Sequence, residues 1–274
     1  MSEFDPAAAA RKAVSEKMAS MSFLDHLEEL RRRIIWSLVF VAAGFGICFG
    51  YAEKIYGYMQ VPIMEALRSH HLEQRLVYLN PTEPFNMYLK VGFIAGVFLA
   101  SPFVLYQVWA FIAPGLYRHE KTYVTPFMIS SVGLFIAGGL FGYKMVYPAA
   151  LDFLIGYGAQ FQPMITIGEY TDLFLTIILG LGIIFEMPIL VFFLSLMGVI
   201  SAGWMWRNLR YSILVIFIIA AIVTPTTDIL NMCLFAAPMV VLYVVSILIA
   251  WLVSPARRKA RKEKEKEAEA ASSE

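Results

Sequence analysis

The apolar positions of this chain neither alternate nor recur as a narrow stripe. They run together in six blocks separated by turn residues and charges. A membrane-spanning helix needs about 20 mostly apolar residues. Blocks at about Ile34–Gly50, Asn86–Ile112, Tyr123–Tyr147, Leu173–Met197, Leu209–Val223 and Ile229–Val253 meet or approach that length. The pattern predicts an all-α polytopic membrane protein with six transmembrane helices. The fifth block is short: its 15 residues reach about 22 Å, against a hydrocarbon core near 30 Å. With a tight turn at Pro225, helices five and six are expected to form a shallow hairpin of short helices toward the outer side. A thinned bilayer or docked partner helices would meet such a mismatch.

Composition agrees with this reading. Of 274 residues, 59% are hydrophobic and 16% charged, with a mean hydropathy of +0.66. A soluble domain carries about 25% charge, so an ordinary globular enzyme, a disordered chain and a disulfide scaffold are excluded. The net charge of +1 provides no basic field for nucleic acid. Cys48 and Cys233 both fall within apolar runs and are expected to be buried thiols acting as small hydrophobes.

Charge decides orientation. Seventeen of the 22 lysines and arginines fall in the N-terminal segment, the loops after spans two and four, and the C-terminal tail. Only Lys54, Arg68 and Arg75 lie in the opposite loops. Basic residues stay on the cytoplasmic side, so both termini are expected there. The first apolar run starts some thirty residues in, without a convincing small-residue cleavage pattern, and reads as an uncleaved anchor. Three segments follow: a polar, Ala-rich N-terminus at 1–21 expected to be disordered, a six-helix domain at 22–253, and a charged tail at 254–274.

Four segments could carry chemistry. In SFLDHLEELRRR (Ser22–Arg33), Ser22 and Asp25 fit a capping box, and Phe23, Leu24, Leu27, Leu30 and Ile34 share one helical face. Such a helix would lie in the interface before turning into the bilayer. Glu28 and Glu29 can pair with Arg32 and Arg33 at i,i+4. In FIAPGLYRHEK (Phe111–Lys121), Pro114 and Gly115 stop the second span, and Glu120 stands between Arg118 and Lys121. Two acidic sites on rigid helix ends could jointly receive a pair of arginines, since guanidinium binds carboxylate bidentately. In FEMP (Phe185–Pro188), Glu186 falls near the midpoint of span four. A charged carboxylate there costs at least a few kcal/mol, so the group is expected to be neutral or to face a polar cavity. Pro188 cannot donate to the carbonyl of Ile184, which predicts a kink. In TPTTD, Asp228 sits at the start of span six, where a helix dipole favours an acidic cap. His70 and His71 in the first outer loop are weak evidence for a metal site, and none is expected.

Together, HLEELRRR, SPFVLYQVWAFIAPGLYRHEK, FEMP and the TP…D before the last span resemble the TatC family, the multi-spanning receptor subunit of the twin-arginine protein translocase. The resemblance covers about residues 22–253. It implies a concave bundle in the bacterial cytoplasmic (inner) membrane that binds the twin-arginine signal peptides of folded precursors. The implied partners are the single-span subunits TatA and TatB and further copies of the chain itself, and export is driven by the proton-motive force. It implies no enzymatic activity and no cofactor. By position, Glu29 and Glu120 match the signal-peptide site, with Arg31, Phe111, Pro114 and Lys121 around it. Glu186 matches an intramembrane polar site, and Pro62 and Asp228 match outer-side functional positions. The rival reading from the residues is a proton-coupled small-solute transporter using Glu186. Pro102 and Pro188 would then mark paired broken helices.

Overall fold

The fold, a computed structural model, describes residues 6–112, 124–158, 160–161, 163–196, 198–223, 229, 232–233 and 235–252. Side chains of the first helix are described from His26 onward. The described residues form helices α1 (Pro6–Phe49), α2 (Ala52–Met59), α3 (Val61–Ser69), α4 (Glu83–Ile112), α5 (Val124–Phe141), α6 (Tyr147–Tyr157), α7 (Ile167–Ile184), α8 (Met187–Leu196), α9 (Ala202–Arg207) and α10 (Leu209–Val223). A last helix, α11, spans Phe235–Leu252. Five stretches are long and apolar enough to cross a membrane: His26–Phe49, Glu83–Phe111, Pro126–Tyr157, Ile167–Leu196 and α11. The apolar helix α10 is shorter. The architecture is therefore all-helical with five long apolar helices and one short one. The expected pair of short helices is met only by α10, because α11 keeps 18 residues, about 27 Å of rise.

The N-terminal reading differs from the structure. α1 is continuous from Pro6 through Ser22 and Arg33, so no helix begins at Ser22 and the helix does not turn between an interfacial and a spanning part.

The prolines show how local chemistry sets helix continuity. Pro102 lies inside α4 and removes the bond to the carbonyl of Phe98. The hydroxyl of Ser101 donates to that carbonyl at 2.7 Å, and α4 runs on unbroken. Pro148 has no such substitute. The chain relaxes instead into a π-helical turn, Gly142–Val146, between α5 and α6, which moves the carbonyls clear of the ring. At Pro188 the helix is interrupted: α7 ends at Ile184 and Phe185–Glu186 form a turn before α8. The amide of Glu186 there bonds the carbonyl of Ile183. The predicted kink is real, but the pairing of two broken helices is not, since only Pro188 breaks its span.

Packing follows from small residues where helices cross. α1 lies along α4, and at their crossing a Cβ on Gly96 would stand 2.5 Å from the backbone nitrogen of Phe45, and one on Gly44 2.6 Å from the carbonyl oxygen of Gly96. In lipid, close backbone approach of this kind drives helix association. The main core runs from α2 to α11, and at its α3 end Tyr147, Ile63, Ile177, Leu181 and Val91 are fully buried among α3, α4, α6 and α7. There the hydroxyl of Tyr170 donates to the carbonyl of Met59. His70 meets Asp152 at 2.8 Å, joining α3 to α6, and Lys90 meets Asp172 at 2.5 Å, joining α4 to α7. The segment before α4 is held by the amide of Val77 donating to Ile165 and that of Ile167 donating to Val77. Cys48 is buried as expected, but Cys233 is exposed, because an exposed face of a membrane helix still reads as apolar.

Candidate functional site

At the opposite end of the bundle, antiparallel packing brings the HLEELRRR segment of α1 against the C-terminal turns of α4. The imidazole of His26 stacks on Phe111 with ring centroids 4.4 Å apart. About two turns further along α1, the guanidinium of Arg33 donates through Nη2 to Oε1 of Glu29 at 3.2 Å, and through Nη1 to Oε1 of Gln107 on α4 at 2.9 Å. The expected i,i+4 pair thus forms at Glu29 and Arg33. Gln107 is the residue that sequence reasoning missed: a lone amide in an apolar helix has no local signal for its partner on another helix.

A cleft of about 570 Å³ opens beside this pair, lined among the described residues by Glu28, Glu29, Arg31, Arg32, Ile35 and Trp36. Glu28 is exposed, whereas Glu29 is half-buried. Of the two carboxylates, Glu29 is the one fixed in place, by Arg33 and through it by α4. A carboxylate so held, in a cleft with an aromatic wall, suits a guanidinium ligand better than a freely rotating one does. The structure therefore brings together Glu29, Arg31 and Phe111 at one end. Pro114, Glu120 and Lys121 lie outside the described residues, as does Asp228. Pro62 is buried near the start of α3 at the opposite end.

The second polar centre is intramembrane. Trp109 of α4 donates through Nε1 to the hydroxyl of Ser131 on α5 at 3.0 Å, and that hydroxyl donates to Oε2 of Glu186. This chain ties three spans. The other oxygen, Oε1, is buried without a hydrogen-bond partner among the described residues. An unmet buried acceptor costs about 1–3 kcal/mol, so the site has capacity for one more donor. Beside it runs a groove of about 770 Å³ between α7–α8 and α9, α10 and α11. Apolar side chains such as Ile183, Leu190 and Ile219 line it, with Tyr211, Ser212 and Tyr243 as polar points. Among the described residues no group of three or more His, Cys, Asp and Glu is placed to hold a metal ion, and His70 is engaged by Asp152.

Comparison with known proteins bears on what these sites serve. The family model described as "Sec-independent protein translocase protein (TatC)" matches residues 25–238. The chain is 70% identical over 259 residues to the Sec-independent protein translocase protein TatC of Koribacter versatilis, covering 94% of this chain and 95% of that protein. It is 36% identical over 236 residues to the protein of the same name from Carboxydothermus hydrogenoformans, covering 86% and 95%. Among solved structures, a crystal structure of the twin-arginine translocase receptor TatC superposes with a TM-score of 0.76 at 36% identity, covering 84% of this chain and 99% of that one.

Proposed function

The chain belongs to the TatC family of Sec-independent protein translocase proteins, and we propose that Glu29 and Glu120 are where it receives the paired arginines of signal peptides. Its function is that of the family: the signal-peptide receptor of twin-arginine translocation, a multi-pass membrane component without enzymatic activity. The observation that carries the site reading is the half-buried Glu29, held by Arg33 at the edge of the cleft and one helix away from Phe111. Arg31, Phe111, Pro114 and Lys121 surround it by position in the motifs. Single-span TatA and TatB are the partners, and the groove beside Glu186 offers a transmembrane segment an apolar wall with one acceptor to satisfy. Pro62 and Asp228 serve the outer side.

In this reading both termini are cytoplasmic in a bacterial inner membrane, since basic residues crowd one side. Thiol labelling in a background lacking Cys48 and Cys233 tests it. His70→Cys and Gln160→Cys should react with an impermeant reagent from outside, and Arg118→Cys and Arg207→Cys only from inside. The reverse pattern would overturn the topology.

Glu186→Gln separates a transport role from a folding role. The amide oxygen can still accept from Ser131, so yield and melting temperature should stay within about 0.5 kcal/mol of the parent, in the range of a tolerated substitution. Signal-peptide insertion into the membrane should change. A collapse in yield would instead make Glu186 a structural tie. The transporter alternative would make Pro102 and Pro188 mark paired broken helices, but α4 runs through Pro102.

A further inference from the structure

We propose that Arg33 is a resident, exchangeable occupant of the Glu29 carboxylate, which an arriving signal-peptide arginine must displace. This inference rests on the reading of Glu29 as a signal-peptide contact and deepens it. A guanidinium pairs most strongly with a carboxylate when two parallel N–H groups meet two oxygens. Arg33 does not achieve this. Its Nη1 is committed to Gln107 at 2.9 Å, so only Nη2 reaches Glu29, at one oxygen and 3.2 Å. Its Nε is buried with no hydrogen-bond partner among the described residues.

Gln107 is itself buried and so fixes how Arg33 presents itself. The resident contact is a one-point bond between two partly exposed side chains, the kind of pair that contributes little. It is strong enough to keep Glu29 oriented and neutralised while the site is empty. It is weak enough to yield to an arginine free to offer both nitrogens. Gln107 then retains Arg33 through Nη1 after release, so the displaced cation stays on α4 and does not drift back onto the carboxylate. The device makes the receptor's own chain compete with its ligand and sets the affinity that a signal peptide must exceed.

The test is equilibrium binding of a fluorescent synthetic peptide, carrying an Arg-Arg pair before an apolar segment, to the full chain in nanodiscs. Arg33→Gln should tighten binding by about threefold to fivefold, the factor that a partly exposed pair of up to about 1 kcal/mol represents. Arg32→Gln removes the same charge without touching Glu29 and should give a clearly smaller gain. Gln107→Ala frees Nη1 for a two-point contact and should weaken binding about threefold, with no effect once Arg33→Gln is present. Weaker binding in Arg33→Gln, a gain no larger than that of Arg32→Gln, or a Gln107→Ala effect that persists without Arg33 would each overturn the exchange. If Glu29→Gln binds like the parent chain, the underlying site reading fails as well. Loss of binding in Glu29→Gln with an unchanged Arg33→Gln leaves that reading standing and removes only this one.

Discussion

Gly96→Leu separates α1 from α4 and lowers thermal stability by about 3 kcal/mol or more, at the upper end of what overpacking costs. The reason is that the obstacle is backbone. A Cβ at position 96 meets the nitrogen and Cα of Phe45 at 2.5 and 2.7 Å and the carbonyl carbon of Gly44 at 2.8 Å. None of these can rotate away, so the helices must move apart, and the rest of the side chain widens the gap. The consequence reaches function, because the same pairing sets Glu29 and Arg33 against Gln107 and His26 against Phe111. Gly46→Leu is the internal control, two residues from Gly44 on α1 with nothing within 4 Å of its Cβ. Melting of the purified variants should show a large drop at position 96 and little at 46; equal drops would mean that leucine at these positions costs something other than the crossing.

The second large effect falls on binding. In Glu29→Gln/Glu120→Gln both charges that the paired arginines would meet are gone while shape is kept. A hydrogen bond to a charged group contributes about 1.5–3 kcal/mol, so the double variant should lose signal-peptide affinity by roughly a hundredfold or more. Glu29→Gln alone should lose about thirtyfold. Titration with labelled peptide in nanodiscs reads both. Retained affinity in the double variant would defeat the site assignment, whatever the family does.

The spans were legible in the sequence because lipid imposes a length on every apolar run that crosses it. The short α10 was legible for the same reason. The helix junctions were less so. Pro102 and Pro188 look alike in sequence, yet Ser101 supplies the missing donor for the first and nothing local does for the second. The helix start suggested at Ser22 is not one, because α1 runs through it. Within the sites, the Glu29–Arg33 pair was readable at i,i+4, a local rule. Gln107, Ser131 and Trp109 were not, since the partners of Gln107 and Glu186 lie 74 and 55 positions away and Trp109 meets Ser131 across 22. A polar side chain in an apolar run signals that it has a partner without signalling which one. The motif resemblance supplied the roles of Glu120, Pro114, Lys121 and Asp228, which lie outside the described residues.

The most direct test of the receptor account compares an Arg-Arg with a Lys-Lys signal peptide on the purified chain in nanodiscs. Lysine keeps the charge and loses the planar two-pronged fork. The account predicts at least about a tenfold preference for Arg-Arg, one lost hydrogen bond per arginine, which disappears in Glu29→Gln/Glu120→Gln. Equal affinity for the two peptides, or a preference that survives in the double variant, would contradict it.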